Sequence, residues 1–230
     1  MVALACLLAA VLAWFSARRA KRRRLPARSL IVSPRKSTVI AGDGSVRSVQ
    51  SAILTLARHD LDRLWSPVNL ENLGRTYWRF LQKVTLGFIR VHYGEDERSV
   101  VLLGLITLLR FDAPDYELER LHGRVTWRIR DGLLVARSGR GCGWLSLDVR
   151  RQDPPEDPAA ATELSIEVEV ANFYPAIAAG FSTPVYEATQ AFVHVLVTHS
   201  FLRSLATLEL EESRVRRFKP GVEQLPTAQP

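Results

Sequence analysis

The sequence predicts an α+β chain: an antiparallel sheet followed by a long C-terminal helix, with a single apolar segment ahead of both. Three observations carry this reading. Apolar and polar residues alternate along several segments of the second half, most plainly where Val125, Trp127 and Ile129 are interleaved with Arg124, Thr126, Arg128 and Arg130. No helix breaker interrupts the stretch from Thr183-Pro184 to Glu212. An apolar run, Val2 to Phe15, is followed at once by Arg18, Arg19, Lys21, Arg22, Arg23 and Arg24.

Composition limits the alternatives. The chain has 230 residues, 47% hydrophobic and 24% charged, which excludes a mainly disordered chain and a polytopic membrane protein. The formal charge of +7 suggests nucleic acid until it is mapped. Residues 1–36 hold nine of the 31 Lys and Arg and no acid, so the other 194 residues carry 22 basic and 24 acidic side chains, a net of −2. The basicity is local, and no nucleic-acid partner is expected.

The N-terminal run reads as a transmembrane anchor over residues 1–17. A signal peptide needs a positive region before its apolar stretch, and Arg18 directly after Ala17 leaves no small-residue cleavage site. A core helix would not be followed by six cations. As a helix, Val2 to Ala17 spans roughly 24 Å against a hydrocarbon core of about 30 Å, a shortfall that snorkelling arginines and an interfacial Trp14 can absorb. The six cations at 18–24 then form a membrane-surface cluster. They place the N-terminus outside and the rest in the cytoplasm, as a single-pass protein of the cell membrane with lipids as partners. Cys6 and Cys142 fall in different regions, so no disulfide within the chain is expected.

The remaining elements follow in order. Residues 18–46 read as a basic juxtamembrane segment and linker, 47–217 as the folded domain and 218–230 as a disordered tail. Val49 to Leu56 suggests a first strand. Asp60 is expected to cap a short helix, and Ser66-Pro67 to start a second whose Leu70, Leu73, Tyr77, Phe80, Leu81 and Val84 share one stripe. Gly87 to Tyr93 and Val100 to Leu109 read as strands around a polar hairpin, with a bend at Gly104. Pro114 keeps Phe111 to Leu118 from a central ladder position. The Arg124–Arg130 strand is expected to turn at Asp131-Gly132 into a partner over Leu133 to Ala136. Leu145, Leu147 and Val149, then Leu164, Ile166, Val168 and Val170, complete an antiparallel meander.

Motifs for chemistry are sparse. Gly139 to Gly143 leads from strand to strand and not into a helix, so it lacks the geometry of a phosphate loop. His194 and His199, five residues apart, project roughly 140° from one another on a helix and cannot share a metal. His122 and Tyr116 flank Asp115, Glu117 and Glu119, types suited to acid–base work. Outward Arg124, Arg128 and Arg130 could form ladders with Glu163, Glu167 and Glu169 if the sheet brings them together.

A strand, two helices, an antiparallel meander and a long last helix resemble the helix-grip architecture of the START-like lipid-transfer and polyketide-cyclase (SRPBCC) superfamily. The resemblance covers roughly residues 48–212, with Asp131-Gly132 and Thr183-Pro184 as its best-placed residues. The whole chain also resembles a group of actinobacterial membrane-anchored proteins that carries no assigned activity. The superfamily likeness implies a curved sheet gripping the last helix, with an apolar cavity between them. On that basis the expected function is a membrane-tethered cytoplasmic module for an apolar or lipid-like small molecule, bound by Tyr116, Trp127, Tyr174, Tyr186 and Phe192. Two alternatives stand beside it: a non-catalytic scaffold for a membrane-protein partner, and a cyclase- or hydrolase-like enzyme using the same cavity. No catalytic residue, metal or cofactor is assigned.

Overall fold

The computed structural model describes residues 25–32, 37–94, 96–152, 156–176 and 195–218. Among these residues ten antiparallel strands form one sheet: β1 (Arg28–Ile31), β2 (Thr38–Ile40), β3 (Val46–Ala57), β4 (Ile89–Tyr93), β5 (Glu97–Leu102), β6 (Ile106–Asp112), β7 (Asp115–Leu118), β8 (His122–Asp131), β9 (Trp144–Arg151) and β10 (Ala161–Phe173). Their order is β1, β3, β10, β9, β8, β6, β5, β4, with β2 also on β3 and β7 also on β8. The first long strand therefore lies beside the last. Between β3 and β4 run α1 (Arg58–Leu64) and α2 (Pro67–Val84), and a further helix, α3, occupies residues 195–204.

Alternation sets which face is inside. Val125, Trp127 and Ile129 of β8 are 0, 1 and 2% exposed, and Leu147, Ile166 and Val168 join them on the inner face. Each such side chain stabilises the fold by about 1.5–3 kcal/mol on leaving water. Helix α2 starts as its sequence indicates: Pro67 is in the first turn and the Ser66 hydroxyl accepts from the Asn69 N–H at 3.2 Å. Its Leu70, Leu73 and Tyr77 face the sheet. Gly74 allows the close approach, because a Cβ there would lie 2.9 Å from the Trp127 ring. Edge-on aromatic contacts then link Trp78 to Trp127 and to Phe111, each at 5.3 Å, and Tyr77 to Phe201 of α3 at 5.5 Å.

Several elements differ from the sequence expectation. The stretch over 25–46 contributes β1 and β2, which pair with β3 through Leu30↔Ile53 and Val39↔Arg47. Arg28, the one cation of β1, is exposed on this edge strand, where charge is tolerated. Helix α1 begins after Ala57 with no side-chain cap, and Asp60 lies inside its first turn. Val100 to Leu109 is two strands: Leu103 (φ 52°) and Gly104 (φ 74°) both turn left-handed, and the Leu105 N–H reaches the Leu102 carbonyl at 3.0 Å. Asp131-Gly132 does not close a two-residue hairpin, and no strand forms over Leu133 to Ala136. Gly132 (φ 142°) sits where a Cβ would meet the Leu108 carbonyl at 2.2 Å, and the N–H groups of Leu133 and Leu134 bond to Thr107 and Leu108. A loop over residues 132–143 therefore leads to β9.

The last helix stops well short of Glu212. Residues 195–204 pass into a single tight turn, Leu205–Thr207, and Leu208 (φ 57°) ends it left-handed. Residues 208–218 then cross the polar side of α2 as a strap. Buried Glu71 accepts from the Ser213 hydroxyl at 2.6 Å and from the Arg217 and Phe218 N–H groups at 3.1 Å each. Asn72 and Thr76 accept from the Ser213 and Glu211 N–H groups, and Arg79 pairs with Glu211.

The proposed anchor, the 18–24 cluster, Thr183-Pro184, Tyr186, Phe192, His194 and most of the expected tail lie outside the described residues. Among the described residues no helix is long and apolar enough to cross a membrane.

Candidate functional site: an apolar slot under the helix corner

Where α1 turns into α2, the helices stand off the sheet and leave a cavity of about 70 Å³. Leu61, Leu64 and Trp65 of the first helix and its corner form one wall, with Leu70 and Leu73 of α2. Leu54 and Leu56 of β3, Leu118 of β7, Val149 of β9 and Leu164 and Ile166 of β10 form the opposite one. Leu205, Leu208 and Leu210 close the side where the chain leaves α3. Strand parity places the sheet residues there, since inward positions recur every second residue.

Polar lining is sparse. Ser66 and Asn69 are the polar lining residues, and both are engaged: Ser66 caps α2, and the Asn69 amide donates to the Arg63 carbonyl at 3.3 Å. Trp65 Nε1 donates to the Glu119 carbonyl at 3.0 Å, and the Arg151 guanidinium lies 5.3 Å from its ring while pairing with Asp62 at 3.1 Å. Among the described residues no titratable side chain lines the slot, so these walls offer apolar contact and no acid–base group.

Of the expected ligand residues, the three that are described, Tyr116, Trp127 and Tyr174, do not line this slot. Trp127 is packed at the centre of the core, and its indole N–H has no hydrogen-bond partner among the described residues. Tyr116, half-buried on β7, meets Phe218 edge-on at 5.3 Å, and burial pushes its hydroxyl pKa up. Tyr174 donates to Asp43 Oδ2 at 2.8 Å, tying the end of β10 to the β2–β3 turn, and that bond raises its pKa. Asp43 is held below its usual value first by the Ser45 N–H and hydroxyl, at 2.9 and 2.7 Å, and then by Tyr174. The slot was hidden because its walls are ordinary apolar residues, mostly leucines, from six helices and strands and the turn after α3. The one local signal was the α1–α2 corner at Trp65-Ser66-Pro67.

Two other clusters resolve into structural roles. Tyr116 stands opposite inward Val125, whereas His122 faces the other side and bonds to Asp148 at 2.8 Å, so the two do not converge. Asp148 also takes Arg124 at 2.8 Å and Arg150 at 2.9 Å. Burial raises its carboxyl, but the bonds from His122 and Arg124 outweigh that and hold its pKa below the usual value. The expected Arg–Glu ladders between β8 and β10 do not form as written, because β9 lies between those strands. Arg47 instead pairs with Glu169 at 2.6 Å. His199 meets Gln50 Oε1 at 2.9 Å. Among the described residues no group of three His, Cys, Asp or Glu is placed to hold a metal.

Comparison with known proteins adds likeness without identity. No protein-family model matches the chain, and no curated protein matches it. Among solved structures, it is similar to a protein from Arthrobacter aurescens at 8% identity and a TM-score of 0.33, covering 80% of this chain and 98% of that one. It is similar to human STARD10 at 8% identity and 0.29, covering 74% and 72%. A protein from Rhizobium leguminosarum follows at 12% and 0.24, covering 69% and 98%. At these scores the likeness carries no argument of its own. The α+β assignment rests on the strand order above.

Proposed function

We propose that the chain is a START-like helix-grip module, tethered to the membrane with its domain in the cytoplasm, that binds an apolar or lipid-like molecule through the slot between the α1–α2 corner and the sheet. The observation that carries this reading is a cavity walled mainly by aliphatic side chains from six helices and strands and the turn after α3, with Ser66 and Asn69 as its polar lining among the described residues. A volume of about 70 Å³ is roughly half that of a cavity known to take up benzene, so it suits a thin group such as the end of an alkyl chain. The order β3, α1, α2, then a meander returning to β3, supports the helix-grip assignment.

A second reading is favoured by one feature: Trp127, Phe201, Ile129 and Leu202 fill the centre of the core, as they would in a scaffold domain with a collapsed cavity. Native mass spectrometry of the full chain, with organic extraction of what it carries, separates the two. The binding reading predicts a co-purifying apolar molecule that is lost when Leu64→Trp fills the slot mouth. A parent chain that is empty, and that takes up no added fatty acid, would favour the scaffold.

A further inference from the structure

At the opposite end of the sheet from the slot, large apolar side chains face solvent. Leu86, Phe88, Leu103, Leu105, Ile106 and Leu133 are 84, 57, 61, 85, 45 and 61% exposed. They come from three segments that bond to one another: the Leu103 N–H reaches the Phe88 carbonyl at 2.7 Å, and the Leu133 N–H reaches Thr107 at 3.1 Å. Single exposed leucines are ordinary, whereas six large apolar side chains on adjoining loops form a patch.

The backbone makes the exposure harder to dismiss. Leu86 and Leu103 both adopt φ of 52°, each followed by a left-handed glycine, Gly87 at 81° and Gly104 at 74°. Asn, Asp or Gly would fill those positions without strain, and would also be soluble. The chain instead carries two unfavourable choices at the same two residues, which is how functional sites store strain. Added Cβ atoms at Gly87 and Gly104 would meet nothing within 4 Å, so these turns protrude.

Charge selects the partner. The segments that build this tip, residues 79–92, 99–110 and 132–147, contain Arg79, Lys83, Arg90, Arg110, Arg137 and Arg140 and no acid. Glu211 and Asp131 neutralise Arg79 and Arg110, and the other four leave the surroundings cationic. Protruding aliphatic turns among cations match the boundary between anionic headgroups and acyl chains. We infer that the β4–β5–β6 tip inserts into an anionic lipid bilayer. The inference does not depend on the slot being occupied. Nor does it follow from the N-terminal segment, because Arg28 pairs with Thr55, so residues 25–28 join the sheet at the far end of the twelve-residue β3.

The test uses the full chain with Cys6 and Cys142 replaced by serine. An environment-sensitive dye is placed on Leu105→Cys or, as a comparison, on Ser165→Cys at an exposed position of β10. Each protein is added to vesicles of phosphatidylcholine with phosphatidylglycerol. Blue-shifted emission and quenching by lipid-borne nitroxide at residue 105, absent at 165 and weakened in pure phosphatidylcholine, are expected. Adding Leu86→Ser should cut that insertion about tenfold, as loss of one buried leucine side chain implies. Unshifted emission at 105 in membrane-bound protein, an equal response at 165, or a shift without vesicles would overturn the assignment, the last by making the tip a contact between protein molecules.

Discussion

The two ends of the sheet use leucine in opposite ways. At the end where β3 meets α1, Leu56, Leu61 and Leu205 are 3, 2 and 4% exposed around the slot, while at the β4–β5–β6 end Leu86 and Leu105 are 84 and 85% exposed. Residue type does not separate them. A crossing segment does: the turn after α3 and Leu208 to Leu210 close over the first end, and no described segment crosses the second. Burial here is decided by where the chain returns.

Between these ends the core is filled, and the largest expected effect lies there. Trp127→Ala should destabilise the chain by about 3–5 kcal/mol in urea unfolding, since the ring is wedged against Gly74 and Trp78 with no space to collapse into. A loss below about 1 kcal/mol would mean that the centre is an open pocket and that the contrast between centre and slot is wrong.

The strap is next. Glu71→Ala removes the acceptor for Ser213, Arg217 and Phe218 and leaves their donors unsatisfied, which should cost about 2–3 kcal/mol. Faster hydrogen exchange and proteolysis confined to residues 208–218 would locate the effect. Uniform loosening would show that the strap is not a separable cover.

These differences mark what the sequence makes legible. The meander is readable because Val125, Trp127 and Ile129 repeat at the period of a strand with one buried face. The start of α2 is readable because Ser66-Pro67 is a local capping signal. The strap is not: Glu71 and Ser213 are 142 residues apart, and nothing near either names the other. The Leu103-Gly104 turn is concealed because leucine is a poor choice for left-handed backbone, so the run reads as continuous strand. The slot stays hidden for a third reason. Leu64, Leu118 and Leu208 are each an ordinary apolar residue, and only the fold brings them to one cavity.

Asp148→Asn should have a smaller effect, on the outer face. A carboxyl whose folded pKa is depressed stabilises the fold above its unfolded value, near pH 4, and loses that contribution as pH falls through the folded pKa. The variant should be about 1–2 kcal/mol less stable at pH 7, a modest figure because Arg124 and Arg150 are well exposed. The gap to the parent should shrink in urea melts below about pH 4. A gap independent of pH would remove the ionised Asp148 from the account.

Smallest of all, Leu105→Ser at the exposed tip should change stability by less than about 0.5 kcal/mol, as a side chain already in water has little to lose. A melting temperature lowered by several degrees would mean that the tip is packed in solution.

The most direct test sets the two ends against each other in one titration. A fluorescent fatty acid is added to the full parent chain, to Leu64→Trp at the slot and to Leu105→Ser at the tip, in detergent-free buffer. The slot account predicts saturable binding to the parent and to Leu105→Ser, and its loss in Leu64→Trp. Binding that survives Leu64→Trp but disappears with Leu105→Ser would contradict it, placing apolar recognition at the exposed end instead.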